Sequence, residues 1–159
     1  MLWYDNLPDW ANISLMVIDY LLLSFGLYTM ARGRKFKNAW ISFIPVVQYY
    51  TFGKIGDDIN FNTKHKRTHY GLILMVVLLI GYMISAGSLA GADLMTMLPV
   101  TAVAGVVSVV LRIYCAYLVF MQYMGKYPVA FAILSVLIPC ALAICIFVLR
   151  KSKPMDITV

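Results

Sequence analysis

The sequence predicts an all-α integral membrane protein: a four-helix bundle with a short, Pro-containing interfacial or re-entrant helix between the first two spans. Three observations carry this. Of the 159 residues, 62% are hydrophobic and only 13% charged, with a mean hydropathy of +0.83, far from the balance of a water-soluble domain. Four apolar stretches approach the ~20 residues that a helix needs to cross a bilayer. Between the first two lies KNAWISFIPVVQYYTFGKIGDD, residues 37–58, apolar and aromatic, interrupted by Pro45 and fenced by basic clusters. Residues 1–159 thus read as one transmembrane domain, with no room for a second, soluble one.

Taken in order, residues 1–11 carry Trp3, Tyr4 and Trp10 among aspartates and form an interfacial lead-in, with Asn12 placed as an N-cap. Their first charges are Asp5 and Asp9 rather than a basic run, so no cleavable signal is expected. The first span covers about 13–31, and Asp19 is its one charge. The run ARGRKFK follows, whose Arg32, Arg34 and Lys35 read as anchors for anionic lipid headgroups on the cytoplasmic side. Lys64, Lys66 and Arg67 read the same way.

The segment at about 38–55 is too short to span. Trp40, Phe43, Ile44 and Val47 follow i, i+3, i+4, i+7 spacing, and Pro45 removes the bond to the Ile41 carbonyl. It therefore either lies in the interface, the favoured placement, or dips in and out around Pro45 under cover of protein. The remaining spans are about 71–90, about 99–124 opened by Pro99, and about 129–149 opened by Pro128 with Pro139 inside. Four crossings leave the main basic loop cytoplasmic and both termini outside, with the basic tail Arg150, Lys151 and Lys153 on the less favoured side. No internal repeat is evident.

Span 99–124 has the most informative pattern. Thr101, Gly105, Ser108, Arg112, Cys115, Val119 and Gln122 alternate at spacings of four and three and form one small or polar stripe. Such a stripe is a helix interface or a pore lining. Weaker stripes run through Gly81, Ser85, Ser88 and Ala92, with Gly87 and Gly91 beside them, and through Ala132, Ser135 and Pro139. Asp19 and Arg112 are the only charges inside spans, so they are expected to be buried and to pair.

Other chemistry is hard to find. The three cysteines fall inside spans at no zinc-ligand spacing, and no metal or other cofactor is expected. The chain has no glutamate, no GxSxG, no HExxH and no Walker loop. Asp57, Asp58, His65 and His69 match no catalytic spacing and read as a solvated loop. The net charge of +6 sits at span ends rather than on a groove-reading motif, so nucleic acid is not an expected partner.

Lys37, Asn38, Ala39 and Trp40, then Phe43, Ile44 and Pro45, then Tyr50, Gly53, Lys54 and Ile55 resemble a motif of small, uncharacterised bacterial polytopic membrane proteins. In these a basic run leads into Asn-Ala-Trp, an Ile-Pro step and Gly-Lys-Ile after the first span. Here Gln48 stands where Asn is usual and Tyr49 where Leu is. The resemblance implies a bacterial inner-membrane protein and makes Trp40, Pro45, Tyr50, Gly53 and Lys54 the interfacial motif; it implies no activity. The expected function is a non-enzymatic subunit, accessory or homo-oligomer of a membrane complex, partnered by anionic lipid and a membrane protein or its own copy. The alternatives are a small channel or transporter along the polar stripe and an intramembrane lipid-acting enzyme.

Overall fold

The computed structural model describes residues 8–65, 67–89, 94–124, 127–138 and 140–152. Among the described residues the chain is all-helical, with six α-helices and no strand: α1 (Asp9–Gly33), a 3₁₀ helix (Ala39–Phe43), α2 (Gln48–Lys64), α3 (Tyr70–Leu89), α4 (Leu94–Tyr123), α5 (Pro128–Leu137) and α6 (Ala141–Leu149). Two stretches, Trp10–Gly33 and Ala102–Tyr123, are long and apolar enough to cross a membrane. Pro99 lies inside α4 rather than at its first position, and with no N–H it forgoes the bond to the Met95 carbonyl.

α1 stops in a Schellman turn: the N–H of Phe36 reaches the Ala31 carbonyl at 3.0 Å, that of Lys35 reaches Arg32 at 3.0 Å, and Lys35 itself is left-handed at φ 59°. The chain then climbs back along α1. Phe43 lies against Phe25 and Tyr28, ring centroids 5.1 and 5.4 Å away, and the Tyr20 hydroxyl donates to its carbonyl. It turns over Pro45 and Val46, and α2 descends again until Asp58 meets Arg34 at the foot of α1. Residues 38–55 therefore form the up-limb, tip and upper down-limb of a hairpin packed along α1. α2 is not an exposed surface helix: Phe52, Ile55 and Ile59 are buried. The apolar face expected over 40–47 is not α-helical either, since Pro45 stops the 3₁₀ turn and α2 begins only at Gln48.

The expected fourth span is likewise a hairpin. α5 runs antiparallel to α4, with Phe131 beside Phe120 (6.2 Å) and Ser135 level with Arg112. α6 then runs parallel to α1, from Cys140 beside Asp19 down to Ile146 and Phe147 against Gly26. The break coincides with Pro139 in the sequence: Ile138 before it is extended, as a pre-proline residue prefers, and Cys140 after it is left-handed at φ 67°. Pro139 itself is outside the described residues. The chain accordingly starts at one end of the bundle and reaches Arg150 at the other, where α1 and α4 end.

The two hairpins repeat each other, which the sequence was not expected to do. Each follows a long helix, α1 or α4, and these two run parallel. Each opens on a left-handed residue (Lys35, φ 59°; Tyr127, φ 55°) and closes its up-limb with a serine bonded three residues back (Ser42 Oγ to the Ala39 carbonyl, 2.8 Å; Ser135 Oγ to Ala132, 2.7 Å). Each turns at an Ile-Pro pair, with Ile44 at φ −93°, ψ 121° and Ile138 at φ −103°, ψ 117°, followed by left-handed Val46 (φ 68°) or Cys140 (φ 67°). The down-limbs are exchanged between halves: α2 packs on α4, and α6 packs on α1.

Glycine sets the tightest contacts. A Cβ on Gly71 would stand 2.7 Å from Lys54 N and 2.8 Å from Tyr50 O, so α2 and α3 cross backbone to backbone at Gly53 and Gly71. Just below, Asp57 caps α3 from outside: its carboxylate accepts from the Thr68 hydroxyl (2.6 Å) and from the N–H of Tyr70 (2.8 Å) and Gly71 (3.1 Å). The buried core, including Leu27, Phe52, Ile55, Ile59, Leu118, Phe120 and Ile146, lies beside the hairpins. Beyond their tips α1, α3 and α4 stand more open, with Ile13, Met16, Met83, Val103 and Val106 exposed.

Candidate functional site

The tips of both hairpins meet the middle of α1 and α4, and the polar residues of the spans collect there. Arg112 lies eleven residues above the foot of α4, ~16 Å at 1.5 Å per residue. Its guanidinium sits 4.4 Å from the ring centroid of Tyr49, in the first turn of α2. Its Nε is buried and has no hydrogen-bond partner. Behind Tyr49, Gln48 is held by the Ser24 hydroxyl, which donates to Gln48 Oε1 at 3.2 Å and fixes the tip against α1.

Cavities flank Arg112 on both sides. One of about 390 Å³ lies between α3, α4 and the first tip and is lined by Val46, Tyr49, Tyr82, Gly105, Ser108 and Arg112. The other, about 180 Å³, lies between α1, α4 and the second tip and is lined by Asp19, Tyr49, Arg112, Ser135 and Cys140. Tyr49 and Arg112 form the partition. The expected pairing of Asp19 with Arg112 is thus half realised: they share a cavity, but no ion pair joins them, and the one ion pair among the described residues is Arg34–Asp58. The reason is local, because the Asp19 carboxylate is engaged by the Cys140 thiol while the guanidinium lies over the ring of Tyr49.

Along the α4 stripe Ser108, Cys115 and Val119 are buried, Gln122 is half-buried, and Gly105 faces the larger cavity. The Thr101 side chain lies outside the described residues, as do those of Ser85, Gly87 and Ser88, and all of Gly91 and Ala92. Ala132 and Ser135 are buried in the second hairpin. No disulfide joins Cys115, Cys140 and Cys145 among the described residues.

The basic residues divide into two groups. Arg34, expected at the headgroups, is instead largely buried: its guanidinium bonds Asp58, Gln122 and Tyr123, tying the feet of α1, α2 and α4 together. A planar donor with five N–H groups can bridge three helix ends, which is why it is drawn inward. Arg32, Lys35, Lys54 and Arg67 are exposed at the same end; Lys54 lies over Phe36 and Tyr50 (5.1 and 5.6 Å), and Arg67 over Phe61 (5.9 Å). Lys66 and the side chain of Lys64 lie outside the described residues. Of the motif residues, Trp40 and Pro45 are exposed, Tyr50 is half-buried, and Gly53 is the crossing point described above.

Sequence reasoning missed Tyr49, Gln48 and Cys140. The missed signal was the recurrence of Ala-x-x-Ser and Ile-Pro at 39–45 and 132–139, which marks two tips rather than one. Comparison with protein families, with curated proteins and with solved structures finds no match for this chain.

Proposed function

We propose that this is a non-enzymatic multi-pass protein of a bacterial inner membrane that binds an anionic solute at mid-depth on Arg112 and passes it as a small carrier or channel. α1, α3 and α4 cross the bilayer, and both hairpins re-enter from the basic face. Three features support the membrane setting. Large apolar side chains are exposed along the long helices, more than water tolerates on one surface. The hairpin tips expose apolar Ile44, Pro45 and Ile138, side chains that hydrocarbon accepts more readily than water. With this topology twelve of the thirteen Lys and Arg flank one face, and the exception is Arg112. The basic tail, unfavourably placed under four crossings, then joins the cytoplasmic side, where Lys54 and Arg67 meet anionic headgroups.

Parallel repeats with broken helices and a site where the repeats meet at mid-depth are a recurrent design of membrane carriers. The observation that carries the reading is Arg112 itself, a guanidinium midway along α4 between two cavities with no carboxylate in ion-pair contact. Such a charge is costly unless an anion compensates it. Efflux of acetate, phosphate, chloride and decanoate from proteoliposomes is the test. Wild type passes at least one of them, and Arg112→Ala does not. Efflux no faster than from empty liposomes, with one stoichiometric partner in pull-downs, makes the protein a subunit of a larger complex instead.

A further inference from the structure

The larger Arg112 cavity does not end at Arg112 and Ser108. It shares Val77 and Ala104 with a second space of about 420 Å³ between α3 and α4, whose other walls are Ile80, Pro99, Val100, Val103 and Val107. That second wall is wholly apolar. Val100, Val103, Ala104 and Val107 recur at i, i+3, i+4, i+7, so one face of α4 lines it, and these valines stand exposed rather than packed. A chamber that holds one unpaired guanidinium, with Ser108 beside it in an otherwise largely apolar lining, thus opens through Ala104 and Val77 into a greasy trough along the same two helices.

We infer that the ligand is an anionic amphiphile with a single acyl chain, its negative head on Arg112 and its chain in the α3–α4 trough. The inference rests on the anion reading above and narrows it. A small hydrophilic anion would satisfy Arg112 but leave the trough unexplained; a neutral lipid tail would fill the trough but leave the charge uncompensated. At the head, Ser108 lines the chamber beside Arg112, whose Nε has no partner and whose guanidinium N–H groups can donate to a carboxylate or phosphate. The Ser108 hydroxyl donates to the Gly105 carbonyl at 2.8 Å, so its oxygen lone pairs face the chamber and a protonated phosphate head has an acceptor there.

The test uses the full chain in neutral phosphatidylcholine nanodiscs, with empty nanodiscs as the baseline and 11-(dansylamino)undecanoic acid as the fluorescent probe. Wild type enhances the probe above baseline, and palmitate or lysophosphatidate displaces it while hexadecanol, acetate and inorganic phosphate do not. Displacement by only one of the two amphiphiles assigns the head as carboxylate or phosphate and supports the inference equally. Arg112→Gln weakens the probe at least tenfold. Val103→Trp does the same by filling the trough, and its site is 65% exposed, so folding tolerates it. Equal displacement by hexadecanol overturns the inference, because the charge is then not read. Displacement by acetate or phosphate but not palmitate overturns it while leaving the anion reading standing. No enhancement above baseline, with none of the anions in the efflux assay transported, removes both.

Discussion

The half of the molecule at the basic end and the half at the other end are built on the same three long helices but packed differently. At the basic end the two hairpins pack against α1, α3 and α4, the core side chains are buried, and Arg34 joins three helix feet. Beyond the tips the same helices have no inserted partner among the described residues, and cavities open between them. The comparison teaches that close packing here comes from the inserted hairpins rather than from the long helices by themselves. It also teaches that the polar site sits at the boundary, where a fixed wall on one side faces open space on the other. A binding site so placed is held to geometry by the packed half and reached through the loose one.

The comparison predicts that substitutions cost most where hairpins are clamped. Gly53→Leu puts side-chain atoms into the α3 backbone at Gly71, where nothing can rotate away. We expect a loss at the upper end of overpacking effects, about 3 kcal/mol or more, read as a fall in folded yield and melting temperature in detergent. A Gly53→Leu protein that melts like wild type would show that the crossing is not tight. Asp57→Ala comes next. It strips the cap from α3 and leaves two backbone N–H groups without their acceptor, at a cost of ~2 kcal/mol. Arg34→Ala follows at ~1–2 kcal/mol, since the foot of the bundle is partly open to solvent. In a double-mutant cycle with Asp58→Ala the losses should be less than additive.

How much of this was legible in the sequence follows from the kinds of signal involved. Helical class, α1 and α4 were legible because uninterrupted apolar length is a direct readout of a lipid-facing span. Asp19 and Arg112 stood out because charge is rare in such stretches, and the two do share a site. Their failure to pair was not legible: it depends on Tyr49 and Cys140, neither of which looks polar enough in sequence to compete for a charge. The second hairpin was hidden for a related reason. Residues 128–149 have the length and hydropathy of a span, and Pro139 alone does not say whether a helix kinks or reverses. Only its likeness to the Ile44-Pro45 step, which the sequence marks as too short to cross, could have told the two apart. Arg34 was misread because a basic run looks uniform in sequence, while the fold draws in the one member that faces Asp58.

Topology gives a sharper division between the halves. Ser152→Cys and Asn38→Cys should react with an impermeant maleimide from the same side of the membrane, and Ala11→Cys from the other. Reaction of position 152 with position 11 instead would mean that α6 continues α5 across the bilayer, and the packed half would lose its second hairpin.

The smallest effects fall at the boundary and beyond it. Val46 is a β-branched residue held at φ 68°, where its side chain crowds the backbone. Strain of this kind amounts to about 1–3 kcal/mol, and it sits on the wall of the Arg112 cavity. Val46→Gly removes the clash but adds unfolded-state entropy, so a net gain of about 1 kcal/mol in thermal stability is expected. If the strained tip holds Tyr49 under the guanidinium, the same variant should bind the dansyl probe more weakly although it is more stable, because the relaxed tip no longer fixes the ring. Val106→Ala, on an exposed face of α4 beyond the tips, should stay within about 0.5 kcal/mol of wild type. Should Val106→Ala instead destabilise as much as Arg34→Ala, the open half would be packed against something, and a second copy of the chain on that face would be the first thing to look for by cross-linking.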